Sequence, residues 1–296
     1  MTVRKVFDQF MLYKEASGLT ENSLDSYRWQ CLPIIRSLGD RHIEEITQDD
    51  VMELVLQIQR RDISKSTKIS YIRAFRIFLR WCSMEYQVKY RYEKIKIPRM
   101  PKKQIKMYSP EEIQLIFDSI QARPDWVRLR NVALFALFYD SGIRRAEACG
   151  LRRCDVDFGQ KRVLVTGKGD KQRFAPIGHE VCVLLSDYMT ACPYEHDRVF
   201  VSITGKALSC SAASQIFHDI QARLPFKLSP HKLRHNFATN YCLEKYAAGV
   251  AVDPLLLQAL MGHEDIVTTQ RYLHYAASQM SVKDCVSVLD KIKAGQ

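Results

Sequence analysis

Apolar residues in the first part of the chain recur every three or four positions, which is the spacing of amphipathic helices. This spacing predicts four helices. A residue that can cap a helix, Thr20 or Thr47, precedes the second and the third, and Asp50 stands at the acidic position of a capping box. The helices are expected over residues 3–14, from 20 onward, from 47 onward and over 66–85. Such helices can bury one shared core, so residues 1–93 are expected to form a helical bundle.

The rest of the chain mixes helical periods with one hairpin. Ser109, followed by a proline and two glutamates, predicts the start of a helix. Two short runs, 162–165 and 173–176, flank the glycine-containing segment 167–170, and this pattern predicts two strands joined by a turn. The fold class is therefore expected to be mainly α with a small β-sheet. Further helices are expected near residues 110–121, 125–140, 180–191, 209–223, 231–246, 253–261, 265–273 and 278–292.

Residues 94–106 separate these two patterns. They contain two prolines and dense positive charge, including Lys102 and Lys103, and they have no amphipathic period. Such a composition is typical of a linker. The chain is therefore expected to consist of a helical domain over 1–93, a basic linker over 94–106 and a second domain over 107–296 that ends in a tail helix.

The charge balance favours a polyanionic partner. Lysine and arginine number 44 against 33 acidic residues, a net charge of +11, and nucleic acid is the usual partner of such a protein. The fourth helix can spread basic side chains along one face, where they could follow a phosphate backbone. A solvated helix face is the plain alternative. The basic residues concerned are Lys68, Arg73, Arg76 and Arg80.

Other features exclude several classes of protein. The longest nearly apolar stretch, Val132 to Tyr139, is too short to cross a membrane. Charges within Met1 to Phe10 argue against a secretory signal, so the expected location is the cytoplasm. The nine cysteines include no C-x-x-C pair, which argues against a structural zinc site or a disulfide framework.

Two segments offer weak candidates for phosphate chemistry. Gly142 permits a sharp turn between helices, which can bring Arg144 inward, and Glu147 stands three residues further on. An exposed pair one helical turn apart is the plain alternative for these two charges. Lys168 lies between two glycines at the predicted hairpin turn, where it could reach into a cleft or simply face solvent.

Two further segments carry stronger candidates. His231 and Arg234 lie three residues apart on a predicted helix, so they share one face, and a base beside a guanidinium suits a phosphate under attack. A zinc site is disfavoured because the pair His231 and His235 lacks the acidic residue of H-E-x-x-H, and a structural role is expected for His235. His263 and Tyr272 follow nine residues apart; taken alone, Tyr272 would be a packed aromatic residue.

In this order, the motifs resemble the tyrosine recombinase or phage integrase family, above all its Xer-type recombinases and the integrases of mobile elements. The most specific parts are H-x-L-R-H-x-F-A-T at 231–239 and L-x-G-H-x-x-x-x-T-T-x-x-Y at 260–272. The resemblance extends over nearly the whole chain. It implies an N-terminal helical core-binding (SAM-like) bundle and a C-terminal α+β catalytic domain.

The resemblance also implies roles for the candidate residues. Tyr272 would be the nucleophile, and Lys168 would protonate the leaving 5′-oxygen to give the 5′-hydroxyl. His231 is the candidate base, since a phenol with a pKa of ~10 needs a base or a positive field to attack at neutral pH. Glu147 would orient its neighbours. The groups expected around the scissile phosphate are Arg144, His231, Arg234 and His263.

The function implied is site-specific recombination through a covalent 3′-phosphotyrosine, for integration or excision of a mobile element or for resolution of DNA, without a metal, ATP or another cofactor. The implied partner is double-stranded DNA with paired sites, bound by a homotetramer that forms from monomers; accessory DNA-bending proteins are further candidate partners. The tail stripe of Val282, Val286 and Leu289 could dock on a neighbouring protomer or on its own domain. The alternatives are a relaxing enzyme like a type IB topoisomerase, and a DNA-binding regulator without catalytic activity.

Overall fold

The computed structural model describes residues 1–86, 88, 91–98 and 107–284, without the side chains of residues 168 and 281–284. The chain divides into two compact units, Met1–Lys103 and Gln104–Gln296. The predicted class, mainly α with a small β-sheet, is confirmed. No helix in the described ranges is long and apolar enough to span a membrane.

In its described residues the first unit has four helices and two short 3₁₀ turns, Ile43–Glu45 and Tyr92–Lys94. The predicted capping box is present at the third helix, where the Asp50 backbone N–H donates to the hydroxyl of Thr47 at 3.2 Å and the Asp50 carboxylate accepts from the Thr47 N–H at 2.8 Å. Thr20 precedes the second helix but makes no capping bond with its side chain. The helices are α1 (Val3–Ala16), α2 (Glu21–Leu38), α3 (Gln48–Arg60) and α4 (Lys65–Glu85).

The core of the first unit extends beyond the predicted boundary at residue 93. The Phe10 ring packs edge-on against Phe78, with ring centroids 5.3 Å apart, at the centre of this core. Ile95 is fully buried in the same core and Ile97 packs against it, so residues predicted as linker belong to the packing of the bundle. Burial of the apolar side chains at 95 and 97, on either side of Lys96, extends the bundle past residue 93.

The predicted basic face of α4 is only partly formed. Arg73 and Arg80 are exposed and Arg76 is half-buried; their spacing of three and four residues places them on one side of the helix. Lys68 instead donates to the Gln59 carbonyl at 2.7 Å, near the end of α3. Its ammonium therefore satisfies a carboxyl-terminal carbonyl of a neighbouring helix. The other two predicted DNA contacts, Lys102 and Lys103, lie outside the described residues.

The second unit surrounds a small antiparallel sheet with helices. Its described helices are α5 (Pro110–Ser119), α6 (Asp125–Ser141), α7 (Arg145–Gly150), α8 (His179–Ala191), α9 (Cys210–Gln221), α10 (Pro230–Ala247), α11 (Pro254–Met261) and α12 (Ile266–Asp284). The strands are β1 (Val156–Asp157), β2 (Arg162–Thr166) and β3 (Gln172–Pro176), in the order β1-β2-β3.

The hairpin is confirmed, with Val163 opposite Ala175 and Val165 opposite Arg173. Val163, Val165 and Ala175 are buried, so one face of the hairpin packs on the core as strand alternation requires. Arg173 points to that same inward face, while its neighbour Phe174 is half exposed at 50%. A charged residue therefore stands where the period calls for an apolar one.

The core of the second unit forms around α6. Six consecutive residues of this helix, 133–138, are buried, so it is enclosed on all sides. It packs against α8 and α10. The sequence around residue 109 behaves as predicted: Ser109 caps α5, accepting from the Glu112 N–H at 3.2 Å, and the Glu112 carboxylate accepts from the Ser109 N–H at 3.0 Å.

The predicted break before the tail helix is absent. Instead of one helix over 265–273 and another from 278, α12 runs without interruption from Ile266 to Asp284. The residues between include Ala276 and Ala277, which favour helix and offer no reason for a break. The predicted continuation to 292, with Val286 and Leu289, lies outside the described residues, as does the side chain of Val282.

Candidate active site

A glycine in the left-handed backbone conformation, Gly142, brings Arg144 into position. Helix α6 ends at Gly142, whose φ is +59°, and a side chain there would overlap the Phe237 ring of α10. Glycine is required on both counts, because it adopts positive φ without strain and leaves room for the neighbouring helix. The chain then turns through Ile143, and Arg144 occupies the N-cap position of α7.

Glu147 holds two arginines together. Its carboxylate accepts from the Arg144 backbone N–H at 2.7 Å, from Arg144 Nη1 at 2.8 Å and from Arg173 Nη2 at 3.0 Å. The Glu147 side chain is only 1% exposed, whereas that of Arg144 is 39% exposed. Burial raises the pKa of Glu147, but the Arg144 N–H and the charge of Arg173 outweigh that effect, so the pKa lies below its usual value. Glu147 is therefore a buried anion that orients both guanidiniums.

The end of α11 provides acceptors for three guanidiniums of the site. Three consecutive carbonyls accept one arginine each: Leu260 from Arg173 Nε at 2.9 Å, Met261 from Arg234 Nη2, and Gly262 from Arg144 Nη2. Carbonyls in the last turn of a helix lack partners within the helix and carry the negative end of its dipole. Gly262, at φ +61°, ends the helix in the left-handed conformation that exposes them.

Arg234 is the most enclosed of these arginines. It is 4% exposed and also donates to the Gly142 carbonyl at 2.6 Å through Nη1. Burial lowers the pKa of Arg234 to about 10, so the guanidinium remains charged at neutral pH. Arg144 and Arg234 are thus tied to the same two glycine turns, at residues 142 and 262, and the positive charge of the site is fixed in place.

Tyr272 lies among histidines inside the unit. The residue is 2% exposed, and its hydroxyl is 2.5 Å from His235 Nδ1. The His263 ring stacks on its ring at a centroid distance of 6.0 Å, and His263 Nδ1 is 2.9 Å from the Thr269 hydroxyl. Burial raises the pKa of the Tyr272 hydroxyl, and the nearby positive charge of Arg234 opposes that shift.

The structure places the two histidines of α10 differently from what their expected roles suggest. His235, for which a structural role is expected, makes the hydrogen bond to Tyr272. His231, the candidate base, instead borders a cleft of about 490 Å³ together with Arg144 and Arg234. A second cleft, of about 830 Å³, shares Arg144 with the first.

The hairpin turn lies beside the arginine–glutamate pair. A Cβ placed on Gly167 would come within 3.4 Å of Glu147 Oε1 and 3.9 Å of Arg144 Nη1. Lys168 follows in the 3₁₀ turn Lys168–Asp170, and its side chain lies outside the described part of the structure. The turn that carries the predicted proton donor is therefore next to the predicted phosphate clamp.

Two features of the site were not predicted: the presence of Arg173 and the hydrogen bond between His235 and Tyr272. The sequence does contain a signal for Arg173, because it occupies an inward position of β3. Among the described residues, no group of three or more histidine, cysteine, aspartate or glutamate side chains is placed to hold a metal ion.

Comparison with known proteins gives consistent matches. The family model "Phage integrase family" matches residues 106–279. The tyrosine recombinase XerD of Mycobacterium leprae (strain TN) is 31% identical over 281 residues, which cover 86% of this chain and 87% of that one. The tyrosine recombinase XerC of Alcanivorax borkumensis is 28% identical over 264 residues, which cover 86% and 84%.

Solved structures share the fold. A lambda integrase dimer bound to a COC′ core site superposes with a TM-score of 0.73 at 17% identity, and the match covers 92% of this chain and 95% of that one. XerH site-specific recombinase bound to a palindromic difH substrate, in a post-cleavage complex, gives a TM-score of 0.67 at 21% identity, over 91% and 81%.

Proposed function

This chain belongs to the phage integrase family, and from that premise we propose that it is a site-specific recombinase that cuts and rejoins double-stranded DNA through a covalent 3′-phosphotyrosine at Tyr272. The observation that carries the proposal is the convergence of two fixed guanidiniums, three histidines and a buried tyrosine within one unit. Burial raises the pKa of the Tyr272 phenol and the positive charge of Arg234 opposes that rise, which supports assigning the cationic groups and the proposed nucleophile to one site.

The scissile phosphate is proposed to bind where Arg144 faces the clefts. The guanidiniums of Arg144 and Arg234 would bind its non-bridging oxygens, which gain negative charge as the phosphorus becomes five-coordinate. His263 would donate a further hydrogen bond, and Glu147 would keep Arg144 oriented. Because these groups are already held by other parts of the protein, they would stabilise the transition state without first reorganising.

In the proposed cleavage step the Tyr272 oxygen forms a bond to phosphorus as the bond to the 5′-oxygen breaks. The phenol gives up its proton to a base, and Lys168 gives a proton to the leaving oxygen. The energy of the phosphodiester is conserved in the phosphotyrosine, so a 5′-hydroxyl from another strand can reverse the reaction and seal the DNA. No energy source beyond the bond itself is required by this chemistry.

The proposed partner is double-stranded DNA with paired sites, held by four copies of the chain that assemble from monomers, with DNA-bending proteins as accessory factors. The exposed Arg73 and Arg80 of α4, and the half-buried Arg76, would contribute phosphate contacts from the first unit. Integration or excision of a mobile element and resolution of DNA are the proposed tasks, carried out on DNA in the cytoplasm.

Trapping on a nicked suicide substrate tests the proposal. On such DNA the released 5′ fragment diffuses away, and the covalent complex accumulates as a denaturation-resistant band. We expect Tyr272→Phe to abolish this band while leaving the gel-shift affinity for the same DNA unchanged.

Two controls complete the trapping experiment. Tyr275→Phe is the matched control and should trap as the unmodified protein does; if the two variants exchange behaviour, the nucleophile is Tyr275. Relaxation of plasmids irrespective of their sequence would favour a topoisomerase instead. Binding without any trapping would favour a regulator.

A further inference from the structure

The two histidines of α10 face different parts of the site although they lie one helical turn apart. His231 borders the cleft that also contains Arg144, Arg234 and His263. His235 points to Tyr272, and its Nδ1 is 2.5 Å from the phenol oxygen. The two imidazole rings meet edge to face, with centroids 4.2 Å apart. One histidine is therefore placed for the phosphate and the other for the nucleophile.

The His235–Tyr272 pair is uncharged in the structure as it stands. Burial, together with nearby positive charge, lowers the pKa of His235 to about 4, so its imidazole is neutral at pH 7 and can accept a hydrogen bond. Burial raises the pKa of Tyr272, so the phenol keeps its proton. In the tautomer that carries its proton on Nε2, His235 Nδ1 accepts the hydrogen bond from the phenol. Titratable and charged groups from three parts of the unit face His235. On its own helix, α10, these are His231 and Arg234. On α12 they are Arg271 and Tyr272, and His263 lies between α11 and α12.

Resting on the proposed recombinase function, we propose that His235 is the base that takes the proton of Tyr272 during DNA cleavage. As the bond from the Tyr272 oxygen to phosphorus forms and the bond to the 5′-oxygen breaks, the phenol proton moves along the existing hydrogen bond to His235 Nδ1. The leaving oxygen receives its proton separately, from Lys168. The proton returns from His235 to the tyrosine oxygen when the strand is resealed.

Bound DNA makes this transfer easier. Among the effects that keep His235 neutral are the charges of Arg271 and Arg234. A phosphodiester bound at Arg234 places negative charge beside these cations and reduces their repulsion of an imidazolium. His235 therefore becomes a stronger base when a scissile phosphate is present, and the tyrosine is not ionised without a target.

His231 has the opposite arrangement. Burial and the charges of the same two arginines lower the pKa of His231, but its side chain faces the cleft rather than the phenol, so a hydrogen bond to a non-bridging oxygen is its expected contribution. Variants at the two histidines should consequently differ in how their cleavage rates respond to a more acidic nucleophile. That difference distinguishes a histidine that acts as the base from one that contacts the phosphate.

The test compares His235→Asn and His235→Gln with His231→Asn on the suicide substrate, in single-turnover cleavage. Asn places an amide oxygen near the position of Nδ1 and can still accept the phenol hydrogen bond, but neither amide can hold a proton. We expect both His235 variants to cleave more slowly by about 10² or more, the usual effect of removing a general base. His218→Asn is the matched control, since His218 is exposed on α9.

A fluorinated tyrosine at position 272 provides the second readout. Its phenol is more acidic and depends less on a base, so it should recover much of the rate lost in His235→Asn and little of the rate lost in His231→Asn. Gel-shift affinity and thermal melting of each variant identify effects of DNA binding or folding, and the Gln variant serves if the Asn variant does not fold.

The outcomes separate the two proposals. Absence of trapping by the unmodified protein would reject the recombinase function itself. If the unmodified protein traps DNA while His235→Asn cleaves within about threefold of it, His235 is not the base and only that inference is overturned. Recovery by fluorotyrosine in His231→Asn rather than in His235→Asn would assign the base to His231.

Discussion

Replacing Glu147 by Ala should destabilise the second unit strongly, because this single carboxylate neutralises two arginines. The Glu147 side chain is 1% exposed and that of Arg173 13% exposed. Removing one partner of a buried ion pair costs about 3–5 kcal/mol, since the other charge is left in a poorly solvated place. Arg144 is 39% exposed, so water screens its share of the loss.

We therefore expect Glu147→Ala to lower the free energy of unfolding by about 3 kcal/mol, nearer the lower end of that range. For a unit of 150–250 residues this corresponds to a fall in Tm of roughly 6–12 °C. Urea unfolding followed by circular dichroism, together with a thermal melt at pH 7, measures both quantities. The slope of the urea transition should stay constant if the native unit keeps its compactness.

Asp125→Ala is the matched control. Asp125 also pairs with an arginine three residues away, Arg128, at 2.9 Å, but the two side chains are 71% and 43% exposed. Exposed pairs of this kind contribute about 0–1 kcal/mol, so the control should change little. A Glu147→Ala protein as stable as the control would refute the idea that Glu147 acts as a buried counter-charge.

A double-mutant cycle with Arg173→Leu identifies the pair responsible. In the Arg173→Leu background the loss of Glu147 should cost less than in the unmodified protein, with a coupling of about 0.5–3 kcal/mol between the two positions. Strict additivity would instead mean that Glu147 stabilises the fold through the guanidinium and backbone N–H of Arg144 and not through Arg173.

Two further predictions concern pH and backbone conformation. His235 and His263 each have a pKa of about 4 in the folded protein, against an ordinary value of 6.5, so unfolding takes up protons below pH 6.5. The stability that depends on keeping these two imidazoles neutral is therefore complete above pH 6.5 and is lost as the pH falls towards 4. The urea midpoint measured against pH should decline over this interval, and a level midpoint would contradict the assignment. Gly142→Ala should lower the free energy of unfolding by more than about 2 kcal/mol, because it combines backbone strain at a positive φ with steric overlap on the Phe237 ring. Gly249→Ala is the control: Gly249 has a φ of +71° but open space around it, so this variant should show the backbone strain alone. Equal losses in the two variants would remove the steric argument.

The parts of the fold that depend on neighbouring residues could be predicted from the sequence. The capping boxes at Thr47 and Ser109 each involve residues three positions apart, and the hairpin is determined by two short runs around a glycine turn. The continuous helix α12 differs from the predicted pair of helices. No helix-breaking residue lies between residues 273 and 278, so the sequence itself gives no reason for two separate helices. Residues 276 and 277 favour helix, as the structure shows.

The sequence predicts which kinds of residue form the site but not how they contact one another. Arg144, Arg234, His263 and Tyr272 are brought together in one site, as expected from their motifs. The contact of His235 could not be predicted, because it depends on how α12 is rotated against α10, 37 residues away. Arg173 reaches Leu260 across 87 residues, a distance over which periodicity carries no information.

The three carbonyls at the end of α11 have a consequence for the affinity of the proposed phosphate site as well as for its proposed chemistry. A free arginine side chain loses about 2 kcal/mol of rotamer entropy when it is fixed, and that loss normally weakens ligand binding. Here folding has already restricted Arg144, Arg173 and Arg234, each held by its own carbonyl. At the proposed site, an incoming phosphate would meet preorganised guanidiniums, so more of its interaction energy would remain for recognition and for the transition state. Any change that frays the last turn of α11 should therefore weaken phosphate binding without touching a single charged group.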